Sequence, residues 1–368
     1  MSEDNDYNIR YPRRVLLRRA LRPLGRIALR LLTRTCVCGR ANLPARGPLI
    51  LVGNHVALME VVLMVLLAPW EIEVIGTGDI PMDRRYAWIV RLWGFLPVDR
   101  GNARRHEMQL PLDVLRQNGV VGIFPEGGIW SPVLKRAHTG VAWLSYHSGA
   151  PVLPIGFGGM EGALGAVLAL KRPRLSMNIG QPLLPVRVDL PGLSRKQALA
   201  AAATHIMDQI AALIPEGERR ASQRVRDERF DCLLELGADE ASLQAADLQH
   251  AAGAGRFFHT PVLLDVMARN MRLPVQPLLR VGRPQATAEL RAALEHALAF
   301  LDDHPHFLSY RFGYADAAEM DAGLRQLQLR LSEAAGHERM VRLRPLRRYR
   351  LAGTGELRVE EPGDRHRL

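Results

Sequence analysis

The chain has 368 residues, 48% of them hydrophobic, and a formal net charge of +11. That length is generous for one compact core and suits two domains, while the hydrophobic content excludes wholesale disorder. All but three of the 49 basic residues are arginines, whose guanidinium groups grip phosphate in a bidentate fork.

An anionic lipid surface, an acidic carrier protein or a nucleic acid could each answer such a charge. Nucleic acid is set aside, because the charge comes without aromatic interleaving or a recognisable module. Cys36, Cys38 and Cys232 are too few for a disulfide framework and lack metal-site spacing, so the expectation is a reducing compartment and no metal. Arginines interrupt the apolar residues between Val15 and Leu32, unlike a signal peptide. The longest uncharged stretch, Thr139 to Met160, carries a histidine, glycines and two prolines, unlike a spanning helix.

In chain order, the first patterned region runs from Tyr11 to Arg34. On a helical projection Arg14, Arg18, Arg22, Arg26 and Arg30 cover one side, and Leu17, Ala20, Leu21, Leu24, Ile27, Ala28 and Leu31 the other. No acidic residue stands between Asp6 and Glu60. This predicts an interfacial helix with arginines toward anionic headgroups and leucines in the acyl boundary. The bland alternative is a surface helix packed on the protein's own core. Pro23 and Gly25 predict a split into two short helices, with Pro23 opening the second.

From Pro48 to about Gly180, strand-like runs (49–52, 72–75, 120–124, 152–155) alternate with helical ones (61–67, 114–117, 142–147). That alternation predicts an α/β layer, with a site at strand ends and the loops after them. An alanine-rich helix over 193–213 and a charged linker over 215–229 follow. Helices are predicted over 285–302 and 317–335, and 340–361 is a basic segment in which Gly353-Thr354-Gly355 can turn a hairpin. The domain reading is therefore 1–40, a basic amphipathic membrane-interface segment; 41–215, the chemistry-bearing domain; and 230–368, a mainly helical extension without a recognisable motif.

Four blocks stand out. In Gly53-Asn54-His55-x4-Glu60, a strand delivers His55 into a loop and the next helix carries Glu60. With His55 just ahead of that helix, Glu60 can accept the Nδ1 proton and leave Nε2 to take a proton from a hydroxyl. Phe124-Pro125-Glu126-Gly127-Gly128 closes a strand in a tight loop whose N–H groups can face an oxyanion or phosphate; a plain turn would use the same residues. Lys135 and Arg136 follow it. Gly94 to Gly101 ends in Asp99-Arg100, either a guanidinium offered to a phosphate or a solvated turn. Val152-Leu153-Pro154-Ile155 has no polar side chain and reads as a wall or core strand.

In this order and spacing the blocks resemble the four motifs of the lysophospholipid (PlsC-like) acyltransferase superfamily, over about Pro12 to Leu213. Two departures are visible: Glu60 stands where the family has aspartate, and Gly128-Ile129 where it has Thr-Arg. The resemblance implies an α/β acyltransferase layer and direct transfer from acyl-CoA or acyl-carrier protein to a lyso-lipid hydroxyl, without a metal or bound cofactor. It implies His55 as general base oriented by Glu60, and an oxyanion site near Gly127 and Gly128, with Lys135 a possible addition. Glu126 braces the loop. Asn54 belongs to the substrate-binding block, and Arg100, Lys135 or Arg136 could replace the missing arginine toward an acceptor phosphate. It also implies a peripheral place on the cytoplasmic face of the inner membrane. Two further readings stay open: an acceptor without phosphate, such as a glycolipid, lyso-aminolipid or pigment, and a catalytically weak lipid-binding member.

Overall fold

In the computed structural model the described residues are 8–77, 88, 91–98, 108–126, 138–189, 191–222, 225–271, 276–334, 336, 339–351 and 354–362. They divide into two units, one comprising Met1–Asp79 with Ile89–Ser222, the other Ile80–Trp88 with Gln223–Leu368.

The first unit is an α/β layer. Its strands are β1 (Arg34–Cys38), β2 (Leu49–Gly53), β3 (Ile72–Thr77), β4 (Leu96–Val98), β5 (Val120–Ile123), β6 (Val152–Gly158) and β7 (Arg174–Ile179). They form one seven-stranded sheet in the order β1-β7-β6-β2-β5-β3-β4. Every pairing is parallel except β6 with β7. The central strands β2 and β6 are buried along their whole length, as parallel strands covered on both faces must be. One core cluster joins Leu49, Leu51, Leu63, Met64 and Phe157; the opposite one joins Ile50, Val52, Val114, Leu144 and Ile206. The helices are α1 (Val15–Leu32), α2 (Met59–Leu67), α3 (Gln109–Arg116), α4 (Gly140–Ser148), α5 (Ala163–Leu168), α6 (Arg195–Leu213) and α7 (Glu216–Ser222). Ser194 opens α6 through a capping box with Gln197.

One expectation for the amino-terminal helix is overturned. Pro23 does not divide it: α1 is continuous, with Pro23 inside. The ring lies on the exposed side, and anchors on both sides of the proline hold the turns in line. The middle of the arginine face is turned inward at Arg18 and Arg22, while Arg14, Arg26 and Arg30 are exposed. Arg18 is fully buried and forks onto Glu73 of β3 at 2.8 and 2.9 Å. Arg13 joins the same carboxylate at 2.6 Å. Arg22 binds Glu71 and the carbonyls of Val65, Ala68 and Trp70, and Arg26 binds Leu66 O at 2.6 Å. These guanidiniums meet the carbonyl end of α2, where a helix dipole favours positive charge. The outward face is apolar, with Leu16 84%, Leu24 65%, Ile27 58% and Leu31 64% exposed. The segment read as peripheral also contains β1, an edge strand of the sheet.

The span read as a charged linker, 215–229, instead contains α7 and the start of β8 (Val225–Gly237). The second unit carries an antiparallel sheet of β8, β9 (Gln244–Ala246), β10 (Gln285–Ala286), β11 (Met340–Leu351) and β12 (Leu357–Glu360). The predicted hairpin joins β11 to β12. Its helices are α8 (Ala251–Phe258), α9 (Pro261–Asn270), α10 (Gln276–Leu279), α11 (Thr287–Asp303), α12 (His306–Phe312) and α13 (Tyr314–Ala334). On the sheet, arginines of β11 pair with carboxylates of neighbouring strands, such as Arg342 with Glu235 and Arg347 with Glu228.

Candidate active site

The site lies where the carboxyl ends of two neighbouring strands meet. β2 and β5 run parallel in register from Leu49↔Val120 to Val52↔Ile123. The residues that follow each strand, Asn54-His55 and Phe124-Pro125-Glu126, are therefore brought side by side, as open α/β sheets arrange their sites. Sequence separation is erased by strand order.

Asn54 is buried and fastened to β6. Its Nδ2 donates to Phe157 O at 3.1 Å, and its Oδ1 accepts from Phe157 N at 2.7 Å. Gly53 must be small here, because a Cβ would come 2.5 Å from the Phe157 ring. A two-point bond of this kind replaces the ladder a strand would otherwise continue, and it sets where His55 leaves the sheet.

His55 is half-buried. Its ring stacks on Phe124, with centroids 4.1 Å apart and planes 19° from parallel. Its backbone N–H donates to Glu126 Oε1 at 3.0 Å. Glu126 thus braces the histidine loop through the main chain. The sequence placed Glu60 on the imidazole. In the structure its carboxylate takes the next two amides: Oε1 accepts from Val56 N at 2.7 Å and Ala57 N at 2.9 Å, and Oε2 accepts from Ala57 N at 3.1 Å. Two buried carboxylates therefore clamp three successive N–H groups, those of residues 55 to 57.

Burial pushes the Glu60 carboxyl up to about 8. The Val56 and Ala57 amides oppose that rise by favouring the anion, and the nearby Glu126 charge adds to it. Phe124 and Phe157 entered the sequence reading as motif or background, without a role. The signal for Phe124 was its place directly after an apolar strand; Phe157 lay beyond the apolar block quoted for β6. Arg100, Gly127, Gly128, Lys135 and Arg136, with Asp99, lie outside the described residues. On either side of the stretch that holds Gly127, Gly128, Lys135 and Arg136, His138 N donates to Pro125 O at 2.9 Å.

The half-buried His55, its loop held by Glu126 and Glu60, stands at the carboxyl ends of parallel strands, where open α/β sheets place their sites. Residues 34–158, from β1 to the end of β6, match the acyltransferase family model. A 1-acyl-sn-glycerol-3-phosphate acyltransferase of Bacillus subtilis (strain 168) is 25% identical over 180 residues, which is 48% of this chain and 86% of that relative. The crystal structure of the 1-acyl-sn-glycerophosphate (LPA) acyltransferase PlsC from Thermotoga maritima aligns at a TM-score of 0.40 and 18% identity, covering 53% of this chain and 80% of that one. The family match and the Bacillus relative support an acyltransferase domain over residues 34–158 and an enzyme of the PlsC-like acyltransferase type.

Proposed function

We propose that this enzyme moves a fatty acyl group from the thioester of acyl-CoA or acyl-carrier protein to a hydroxyl of a lysophospholipid or glycerophosphate-type acceptor. The observation that carries the reading is the half-buried His55, ring stacked on Phe124 and amide held by Glu126, at the paired ends of β2 and β5. His55 takes the acceptor's hydroxyl proton, the oxygen attacks the thioester carbonyl, a C–O bond forms and the C–S bond breaks with departure of the thiolate. Glu60 acts by fixing the loop that presents the imidazole. Backbone N–H groups of Gly127 and Gly128, with Lys135, stabilise the oxyanion. One of Arg100, Lys135 or Arg136 supplies the cation for an acceptor phosphate in place of the missing arginine.

The glycerophosphate acceptor rests on the name of the Bacillus relative. The missing Thr-Arg at Gly128-Ile129 favours a second acceptor class, lipids without a phosphate at that position. Acyl transfer from labelled acyl-CoA and acyl-carrier protein to a panel of both classes, comparing wild type with His55→Ala, tests the reading. Product that vanishes in the variant supports it and identifies the acceptor. Equal traces in both on every acceptor would point to a lipid-binding protein.

The enzyme works at the cytoplasmic face of the membrane. No helix among the described residues is long and apolar enough to cross a bilayer. The outward face of α1 (Leu16, Leu24, Ile27 and Leu31) lies in the acyl boundary, with exposed Arg19 and Arg30 beside it for anionic headgroups.

A further inference from the structure

We infer that the turn after α5, residues Leu168 to Arg174, is a second contact with an anionic bilayer, separate from α1. The inference extends the membrane reading above, on which it rests, to an element outside the four motifs and outside the matched residues 34–158.

The turn is built against the preferences of a water-exposed chain. Leu170 N donates to Val167 O at 3.0 Å and Lys171 N to Ala166 O at 2.8 Å, the paired bonds that close a helix through a left-handed residue. Glycine normally occupies that residue, because a Cβ is strained there. Here it is Leu170, with φ 56°, and Arg172 is left-handed as well, with φ 48°. Leu170 is also 71% exposed, and Leu168 beside it 73%. Strain and exposure both argue for glycine in water; a leucine is explained by something apolar outside the fold.

Charge identifies that neighbour. Lys171, Arg172 and Arg174 are exposed, and no acidic residue occurs between Glu161 and Asp189. Arg34 N donates to Pro173 O at 2.8 Å, and Arg34 faces Arg174 across the parallel pair β1–β7. The turn therefore meets the end of α1, where Leu31, Arg30 and Arg34 are exposed in turn. On the inner side, Ala163, Leu164 and Val167 of α5 pack in the same core cluster as Leu29 of α1. Exposed leucines beside exposed cations, next to the end of α1, fit the headgroup and acyl boundary of an anionic bilayer.

The test is partition of the full-length protein onto phosphatidylcholine vesicles with and without phosphatidylglycerol. Leu168→Ser with Leu170→Gly should weaken binding on the order of tenfold or more. Leu170→Gly alone should weaken it while leaving the melting temperature unchanged or raised, which a purely structural leucine would not do. Lys171→Gln with Arg172→Gln should cost about fivefold per charge, and only with phosphatidylglycerol present. Leu24→Ser with Ile27→Ser probes α1 alone. Binding lost in the α1 variant but retained in the turn variants would overturn this inference and leave the α1 reading standing. The reverse would remove α1 and keep the turn. Wild type that ignores vesicles, or turn variants that lose only affinity for purified acyl-carrier protein, would also overturn it.

Discussion

Glu126 Oε1 accepts the backbone N–H of His55 at 3.0 Å, across 71 positions of sequence. The bond ties the two motif blocks into one object, and it makes Glu126 a positioning residue for the imidazole. Glu126→Ala should lower kcat roughly 100-fold, the scale of a 1 Å displacement of a reacting group. Glu126→Gln keeps an acceptor oxygen and should recover much of that loss. Steady-state kinetics of both variants, with circular dichroism to verify folding, checks the outcome.

Asn54 satisfies both the N–H and the C=O of Phe157 inside the core. Asn54→Ala leaves two buried backbone groups unpaired and should destabilise the protein by about 2–4 kcal/mol. Urea unfolding measures it. A loss of activity greater than the loss of folded protein is expected as well, because the same bonds set the exit of His55 from the sheet.

The two blocks were legible because each is short, local and glycine-punctuated, and strand–helix alternation fixed the layer that carries them. The orientation of α1 was not. A helical projection separates Arg18, Arg22 and Arg26 from Leu24, Ile27 and Leu31, yet it does not say which face is inward. That is decided by acceptors far along the chain: Glu73 in β3 and the carbonyls that end α2. The inward alternation of Phe230, Cys232, Leu234 and Leu236 in β8 was present in the sequence, but the outward Leu233 and the charges of Asp231 and Glu235 concealed it. Likewise, spacing brought Glu60 near His55 without revealing that its oxygens would accept the amides of Val56 and Ala57.

Stability should fall with rising pH through Glu60. Its folded-state value of about 8 lies above the ordinary 4.5, so the folded protein holds more protons than the unfolded chain between those limits. The stabilising contribution is complete below about pH 4.5 and is lost as pH rises through 8. Glu60→Gln should flatten that part of the profile; thermal melts from pH 5 to 9 would reveal an unchanged slope if the carboxyl titrates normally.

Arg18→Ala leaves Glu73 and its strand with a buried charge balanced only by Arg13. A loss of about 3–5 kcal/mol is expected, as for one half of a buried pair. Leu24→Ser, on the opposite face of the same helix, should change stability by less than about 0.5 kcal/mol. Chemical denaturation of the two variants side by side separates the faces.

The inward arginines also bear on how the protein can be produced. A hydrophobic leading helix invites truncation to gain solubility. Here, removal of residues 1–32 would strip the guanidiniums from Glu73 and from the last carbonyls of α2, and uncover the core around Leu29. The shortened chain should aggregate rather than dissolve, whereas polar replacements at Leu16, Leu24, Ile27 and Leu31 would yield a soluble enzyme with its sheet intact.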